Sequence, residues 1–104
     1  MYARLISFSG ADPARRDEAI TTITETVIPM LRQFDGFQGY IALWDAEKRR
    51  AKGLILWETK EAADAAETEL ADRRSRIAGG LGLTVESADL YEAPIVEVSA
   101  GVHA

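Results

Sequence analysis

The chain has 104 residues, which is enough for one domain with a single hydrophobic core. Seventeen acidic residues against twelve basic ones give a net charge of −5, so nucleic acid and anionic membranes are disfavoured as partners. The absence of cysteine excludes disulfides, thiolate metal sites and thiol nucleophiles. A hydrophobic fraction of 47% predicts a folded domain, and because no long apolar segment follows Met1, we expect a cytoplasmic protein.

The first third of the chain predicts a strand followed by an interrupted helix. The strand is Tyr2–Ser9. Asp12 and Pro13 then predict a helix start, because an aspartate side chain can cap the first turn and the first helical residue does not need an N–H group. Pro29 removes one helical hydrogen bond, so we expect a kink or a short break there. Apolar residues three and four positions apart predict the buried stripe of this helix: Ile20, Ile23, Val27, Leu31 and Phe34.

The middle of the chain predicts a β-hairpin that is apolar on both faces. Its strands cover about residues 37–44 and 50–58, joined by a turn at residues 45–48. Successive side chains point to opposite faces of a strand, and here both sets are apolar, because Tyr40 and Trp44 alternate with Ile41 and Leu43. Helices of the same chain can cover one face, so the other face predicts a second subunit or a ligand.

The last third predicts a long helix, a fourth strand and an apolar tail. Thr59 can cap a helix over about residues 60–77, and a glycine-rich segment ends this helix. We expect its arginines 73, 74 and 76 to lie in solvent. Thr84–Tyr91 then predicts a strand. The order strand, helix, strand, strand, helix, strand is typical of a ferredoxin-like α+β domain (βαββαβ), with a four-stranded antiparallel sheet. We assign this domain to residues 1–94, and residues 95–104 to a C-terminal tail that either frays or forms an arm on the partner subunit.

Three segments of the chain carry a family resemblance. They are the short strand ending at Gly10, the run Val27–Leu31 leading to Gly36, and the sequence Leu-Trp-Glu-Thr at residues 56–59. In this order they resemble the antibiotic biosynthesis monooxygenase-like (ABM) family of the dimeric α+β barrel group, over about residues 2–92. The resemblance implies a homodimer through the sheet face, with a pocket between each sheet and its helices. Family activities include the cofactor-free oxidation of polycyclic phenols and haem degradation, so the fold alone leaves the reaction open.

The residues that haem-degrading members use are missing from this chain. Those members hold the porphyrin with an asparagine on the first strand and an aromatic residue and a histidine on the second helix. This chain has no asparagine, and its only histidine is His103 near the end. We therefore predict no haem, no metal and no other cofactor. A Ser-His-Asp hydrolase is also excluded, because the single histidine lies near the chain end and the sequence contains no G-x-S-x-G motif.

The candidate pocket consists of residues that could face the helices from the sheet. Trp57 matches the tryptophan that closes the third strand in phenol-oxidising members, although core packing is the commoner role of such a residue. Arg4 lies on an otherwise apolar strand side, so it either anchors a ligand anion or pairs with a carboxylate such as Glu58 or Glu86. No catalytic residue is predicted. The predicted pocket-lining residues are Arg4, Ile6, Phe8, Tyr40, Trp57 and Tyr91.

Two functions remain open at this stage. The first is a cofactor-independent monooxygenase, or a binder, of an aromatic or polyketide-like small molecule. The alternative is a non-catalytic dimeric binding or assembly module whose pocket is filled by core side chains, which the missing polar residues of the family favour. An isomerase or decarboxylase would need a general base, for which the sequence offers no preferred candidate.

Overall fold

Four strands form one antiparallel sheet in the order β2-β3-β1-β4, in a computed structural model that describes residues 1–99. The central strand β1 pairs with both β3 and β4, and β2 forms a hairpin with β3. Both helices contribute buried residues to one face of this sheet, so the predicted ferredoxin-like α+β fold is confirmed. The strands are β1 Tyr2–Ser9, β2 Phe37–Asp45, β3 Arg50–Trp57 and β4 Thr84–Glu92.

The first helix, α1 (residues 13–31), begins as predicted and changes its hydrogen-bond pattern along its length. The Asp12 side chain accepts a hydrogen bond of 2.9 Å from the backbone N–H of Ala14. A 3₁₀ turn Pro13–Arg15 leads into an α-helical segment Arg16–Thr22, then a π-helical turn Ile23–Val27, and a last α-helical turn Ile28–Leu31. The predicted interruption is therefore present, but it takes the form of a π turn.

The π turn explains how α1 accommodates its proline. In it the N–H of Ile28 donates to the carbonyl of Ile23, five residues earlier. Pro29 follows directly, and a proline ring clashes with the carbonyl four residues before it in a regular α-helix. Because the wider turn changes the hydrogen-bond pattern just before Pro29, the helix continues past it to Leu31.

The second helix, α2 (Lys60–Gly80), starts at the predicted cap and ends three residues later than predicted. The Thr59 hydroxyl accepts the N–H of Ala62 at 3.1 Å. At the other end the N–H of Leu83 donates to Ala78 at 2.8 Å, and the N–H of Gly82 donates to Gly79 at 3.1 Å. This pair of bonds is a Schellman motif, which needs a positive φ only at Gly82, whose φ is 75°. The helix therefore continues through its first two glycines.

The core lies between the sheet and the two helices. Trp57 is its largest side chain, 1% exposed, and the rings of Phe34 and Phe37 meet it edge-on at centroid distances of 6.4 and 6.0 Å. Gly36 has a φ of 83°, and a Cβ there would come within 2.6 Å of the Ala62 Cβ, so glycine lets this loop pack against α2. The buried core cluster comprises Ile6, Leu31, Ile55, Trp57, Ala63, Ala66 and Leu70.

The outer face of the hairpin is apolar and uncovered in a single chain. Ile41 and Leu43 are 46% and 49% exposed, and the tail residues Ile95 and Val98 are also exposed. The prediction that both hairpin faces are apolar is thus confirmed for this chain. None of the helices within residues 1–99 is long and apolar enough to cross a membrane.

Candidate functional site

The structure brings five of the six predicted pocket residues to the sheet face that the helices cover. Ile6 and Trp57 belong to the core cluster, and Phe8 and Tyr40 pack against it. Arg4 is 8% exposed beneath α2. The sixth residue, Tyr91, is 53% exposed and follows Leu90, which packs on the core, so alternation along β4 puts the Tyr91 side chain on the opposite face.

Arg4 finds its carboxylate partners on α2 and not on the neighbouring strands. Its guanidinium lies 3.6 Å from Asp64 and 3.8 Å from Glu67. The predicted strand partners were wrong because of the register. Arg4 stands opposite Ile55 and Leu90, whereas Glu58 follows the end of β3 and Glu86 accepts a hydrogen bond from Ser9 at the other end of the sheet.

Arg4, Glu67 and Arg74 together form a group that we name the inner charge cluster. Arg74 donates two hydrogen bonds to Glu67, at 2.7 and 2.8 Å, which is the bidentate geometry of a strong guanidinium–carboxylate pair. The side chains of Arg4 and Arg74 are only 10% and 11% exposed, and that of Glu67 is 24% exposed. Two guanidinium groups therefore lie close to one partly buried carboxylate, and only Arg74 forms hydrogen bonds with it.

One donor of the inner charge cluster is left without an acceptor. The Nε of Arg4 is buried and has no hydrogen-bond partner among the residues that the structure describes. Its distance of 3.8 Å to Glu67 exceeds the length of a charge-assisted hydrogen bond, which is about 2.7–2.9 Å. Leaving a buried donor of a charged group unpaired is costly, so Arg4 is the residue of this face most suited to receive an oxyanion.

Tyr40 is the aromatic neighbour of this cluster. Burial raises the pKa of its phenol above the ordinary value, and the positive charge of Arg74 acts in the opposite direction. Its hydroxyl lies over Gly53 of β3, where a Cβ would be only 2.7 Å from the hydroxyl oxygen. Because glycine has no side chain, the Tyr40 hydroxyl can occupy the space above Gly53.

We expect Gly53→Ala to destabilise the protein by about 1–3 kcal/mol, because the new methyl group overlaps the Tyr40 hydroxyl. In a Tyr40→Phe background the nearest ring atom would be 3.4 Å away, so the same substitution should cost about 1 kcal/mol less. Urea denaturation of the four proteins measures this coupling. Gly39→Ala is the control, since its Cβ would meet Leu56 at an ordinary 3.6 Å. Additive effects of the two substitutions would contradict the placement of the hydroxyl.

A groove of about 360 Å³ opens between the end of α1 and the first half of α2. Small side chains on α2 leave it open, because alanines occupy the positions that face the end of α1. Phe34 links the groove to the core, since its ring also contacts Trp57. The groove is lined by Gln33, Phe34, Asp35, Ala62, Ala65, Ala66 and Glu69.

A smaller groove of about 200 Å³ lies at the far end of the hairpin and includes Trp44, whose indole nitrogen is buried without a partner within residues 1–99.

No group of three or more His, Cys, Asp or Glu residues in that same range could hold a metal ion. His103 lies outside the described residues.

Glu67 and Arg74 belong to the site but were not predicted from the sequence. The three arginines near the end of α2 were expected in solvent, but the Arg74 side chain is buried. A signal was present, because Glu67, Leu70 and Arg74 follow one another at spacings of three and four on the stripe that faces the sheet. A buried charge needs an opposite charge close by, so Glu67 and Arg74 on one buried stripe indicate an ion pair.

Three solved structures share this architecture. A monooxygenase from the gene ActVA-Orf6 of Streptomyces coelicolor, in complex with the ligand nanaomycin D, has a TM-score of 0.68 at 15% identity, over 95% of this chain and 92% of its own. SnoaB, a cofactor-independent oxygenase from Streptomyces nogalater, has a TM-score of 0.64 at 14% identity, over 91% and 94%. A candidate antibiotic biosynthesis monooxygenase from Deinococcus radiodurans has a TM-score of 0.65 at 18% identity, over 97% and 100%.

These likenesses define the class of fold. The chain has the fold of the antibiotic biosynthesis monooxygenase proteins, and the resemblance found in the sequence is confirmed at that level. No protein-family model matches the chain, and no curated protein sequence matches it. At identities of 14–18% the shared feature is the fold, and function has to be argued from the site.

Proposed function

We propose that this protein binds an aromatic, polyketide-like molecule between its sheet and helices and that Arg4 holds an anionic oxygen of that molecule. The observation that carries the proposal is the Arg4 side chain, which is 10% exposed and has a buried Nε without a partner among the described residues. A ligand phenolate or carboxylate would satisfy this donor at the apolar inner face. The partly buried Phe8 and Tyr40 would contact the ring system, with Ile6 in the core behind them.

The groove between the helices lies beside Phe34 and is lined by residues of α2 other than Glu67 and Arg74, so it would contact a part of the ligand away from Arg4. Its volume of about 360 Å³ falls in the range of small-molecule sites, about 300–1,000 Å³. Phe34 separates the groove from Trp57, so a planar ligand entering between α1 and α2 would meet an aromatic wall. Phe34 and Phe37 both pack against Trp57, so we assign Trp57 the role of a rigid support behind Phe34.

The reaction we propose is the oxygenation of a phenol without a cofactor. One atom of O₂ enters a ring carbon and replaces its hydrogen, the other leaves as water, and the phenol becomes a quinone, so the substrate supplies all four electrons. The Arg4 guanidinium would favour the phenolate that reacts with O₂, since a nearby positive charge lowers the pKa of a phenol. The monooxygenase of S. coelicolor and the cofactor-independent oxygenase of S. nogalater share this fold and support the assignment.

We further propose that the protein works as a homodimer through the outer sheet face. Ile41 and Leu43 expose about half of their surface there, next to the half-buried Leu5 and Leu54. Such an apolar face on a small chain is stabilised by pairing with its symmetric copy. The exposed residues Ile95–Val98 would lie against the partner subunit.

A non-catalytic binding module is the second candidate function. The observation that favours it is the complete burial of Trp57 and Ile6, at 1% and 2% exposure, which leaves these two predicted pocket residues no free surface in the absence of a ligand. The two candidates differ in oxygen consumption, since only the monooxygenase takes up O₂ with a phenol.

The binding test uses 1-hydroxy-2-naphthoate, an aromatic phenol that carries a carboxylate, and its neutral methyl ester. We expect Arg4→Met to bind the anion about tenfold or more weakly and the ester unchanged, because the lost interaction is a charged hydrogen bond. Arg32→Met, an exposed arginine just after α1, is the control and should bind both probes like the wild type. Calorimetric titration measures the affinities. Oxygen uptake, measured with an oxygen electrode, then distinguishes an oxygenase from a binding module.

An unchanged affinity for the anion in Arg4→Met would contradict the proposed site. The variant should fold, because methionine matches the length of the arginine stem and Glu67 keeps its two hydrogen bonds to Arg74.

A further inference from the structure

We infer that Glu67 is an internal anion occupying the position that the ligand's anionic group takes in the complex, and that the ligand displaces it from Arg4 and Arg74. This inference rests on the proposed function, because it concerns the same site. It gives the ligand a chemical class, an aromatic molecule with one phenolate or carboxylate, and it makes Glu67 the competitor of that anionic group at the two arginines.

The positions of the two arginines support a shared anion site. Glu67 Oε1 accepts a hydrogen bond from Arg74 at 2.7 Å and also lies 3.8 Å from Arg4 Nε. A single carboxylate oxygen therefore faces both guanidinium groups. An oxyanion at this point can receive donors from β1 and from α2 at the same time, which is the arrangement that binds a carboxylate or phenolate strongly.

Glu67 fills this site only incompletely. Its two oxygens both serve Arg74, so Arg4 retains a buried Nε–H without an acceptor among residues 1–99. The other neighbouring carboxylate, Asp64, is 3.6 Å from Arg4 but is about half exposed and accepts a hydrogen bond of 2.8 Å from Lys60. Neither carboxylate is dedicated to Arg4, and a ligand oxygen placed closer to Nε would replace a poor contact by a hydrogen bond.

Glu67 is also the member of the cluster that can leave. Its side chain is 24% exposed, so it can rotate toward solvent and be hydrated there, whereas Arg4 is 10% exposed on the central strand of the sheet. With Glu67 in solvent, Arg4 and Arg74 would face each other without a counterion, which is unfavourable unless an anion replaces the carboxylate. An anionic ligand can make this exchange and a neutral ligand cannot.

The test is the affinity of Glu67→Gln for 1-hydroxy-2-naphthoate and for its methyl ester. Because the amide is uncharged, the ligand no longer competes with a carboxylate, and we expect the anion to bind about tenfold more tightly than to the wild type. Affinity for the ester should not change. Glu61→Gln, an exposed glutamate on the same helix, is the matched control and should leave both affinities unchanged.

An affinity for the anion that is unchanged or lower in Glu67→Gln would overturn the inference, since Glu67 would then only position Arg74. If Glu67→Gln does not fold, Glu67→Asp replaces it, because the shorter carboxylate cannot stay close to both arginines and should also raise the affinity for the anion. The ratio of anion to ester affinity is the decisive readout, because a purely structural change would alter both affinities together.

The two proposals fail in distinguishable ways. If the wild type binds the anion, Arg4→Met loses it and Glu67→Gln shows no gain, the inference about Glu67 falls and the proposed site stands. If the wild type and both glutamate variants bind neither probe, the proposed function falls together with the inference.

Discussion

Trp57→Ala is expected to lower the free energy of unfolding by about 3–5 kcal/mol, a large part of the roughly 5–15 kcal/mol that a domain of this kind possesses. The reason is the position of the ring, which is 1% exposed and packs edge-on against Phe34 and Phe37. Truncation removes this contact area and leaves a cavity that the rigid sheet cannot close. Urea denaturation followed by circular dichroism measures the loss.

The other tryptophan provides the comparison. Trp44 is only half buried near the end of β2, so Trp44→Ala should cost clearly less than Trp57→Ala. Equal losses in the two variants would contradict the core position of Trp57. They would indicate a loosely held ring, and Trp57 would then be the better candidate for direct stacking on a ligand.

The second large effect is expected at the outer sheet face. The double variant Ile41→Glu with Leu43→Glu should weaken the proposed dimer by about a hundredfold or more, because each new carboxylate would be buried without a partner when two sheets meet. Analytical ultracentrifugation over a range of protein concentrations measures the dissociation constant. The fold itself should persist, since both side chains already expose about half of their surface in the single chain.

An isoleucine of similar exposure on a helix serves as the control for this prediction. Ile20 on α1 was predicted in the buried stripe, but it is 43% exposed, close to the 46% of Ile41, and lies outside the sheet. Ile20→Glu should leave the dimer intact. A wild-type protein that is monomeric at micromolar concentration, or a double variant that stays dimeric, would contradict the proposed interface.

The sheet and the helix starts could be predicted from local chemistry. Alternation defined the hairpin strands, Asp12 and Thr59 marked the helix starts, and the structure has side-chain caps at both residues. The end of α2 was predicted three residues too early because glycine composition was read as a stop signal. What ends the helix is the positive φ at Gly82, which is a property of one residue's conformation and not of a glycine-rich run.

The site was predicted less completely, and the reason is the long-range nature of ion pairing. Sequence showed that Arg4 needs a partner, but the choice among carboxylates depended on the sheet register and on the rotation of α2. Both are tertiary properties, and they bring Glu67 and Asp64 to Arg4. The π turn before Pro29 belongs to the same kind of result, because the sequence indicated an interruption without its geometry.

A native mass spectrum of the purified protein in the presence of 1-hydroxy-2-naphthoate tests the proposed site and the proposed dimer together. We expect a dimer that carries one probe molecule per subunit, and a dimer of Arg4→Met that carries little or none under the same conditions. A monomer would contradict the proposed interface. A dimer whose probe occupancy is the same with and without Arg4 would contradict the proposal that the buried Arg4 beneath α2 binds an aromatic anion.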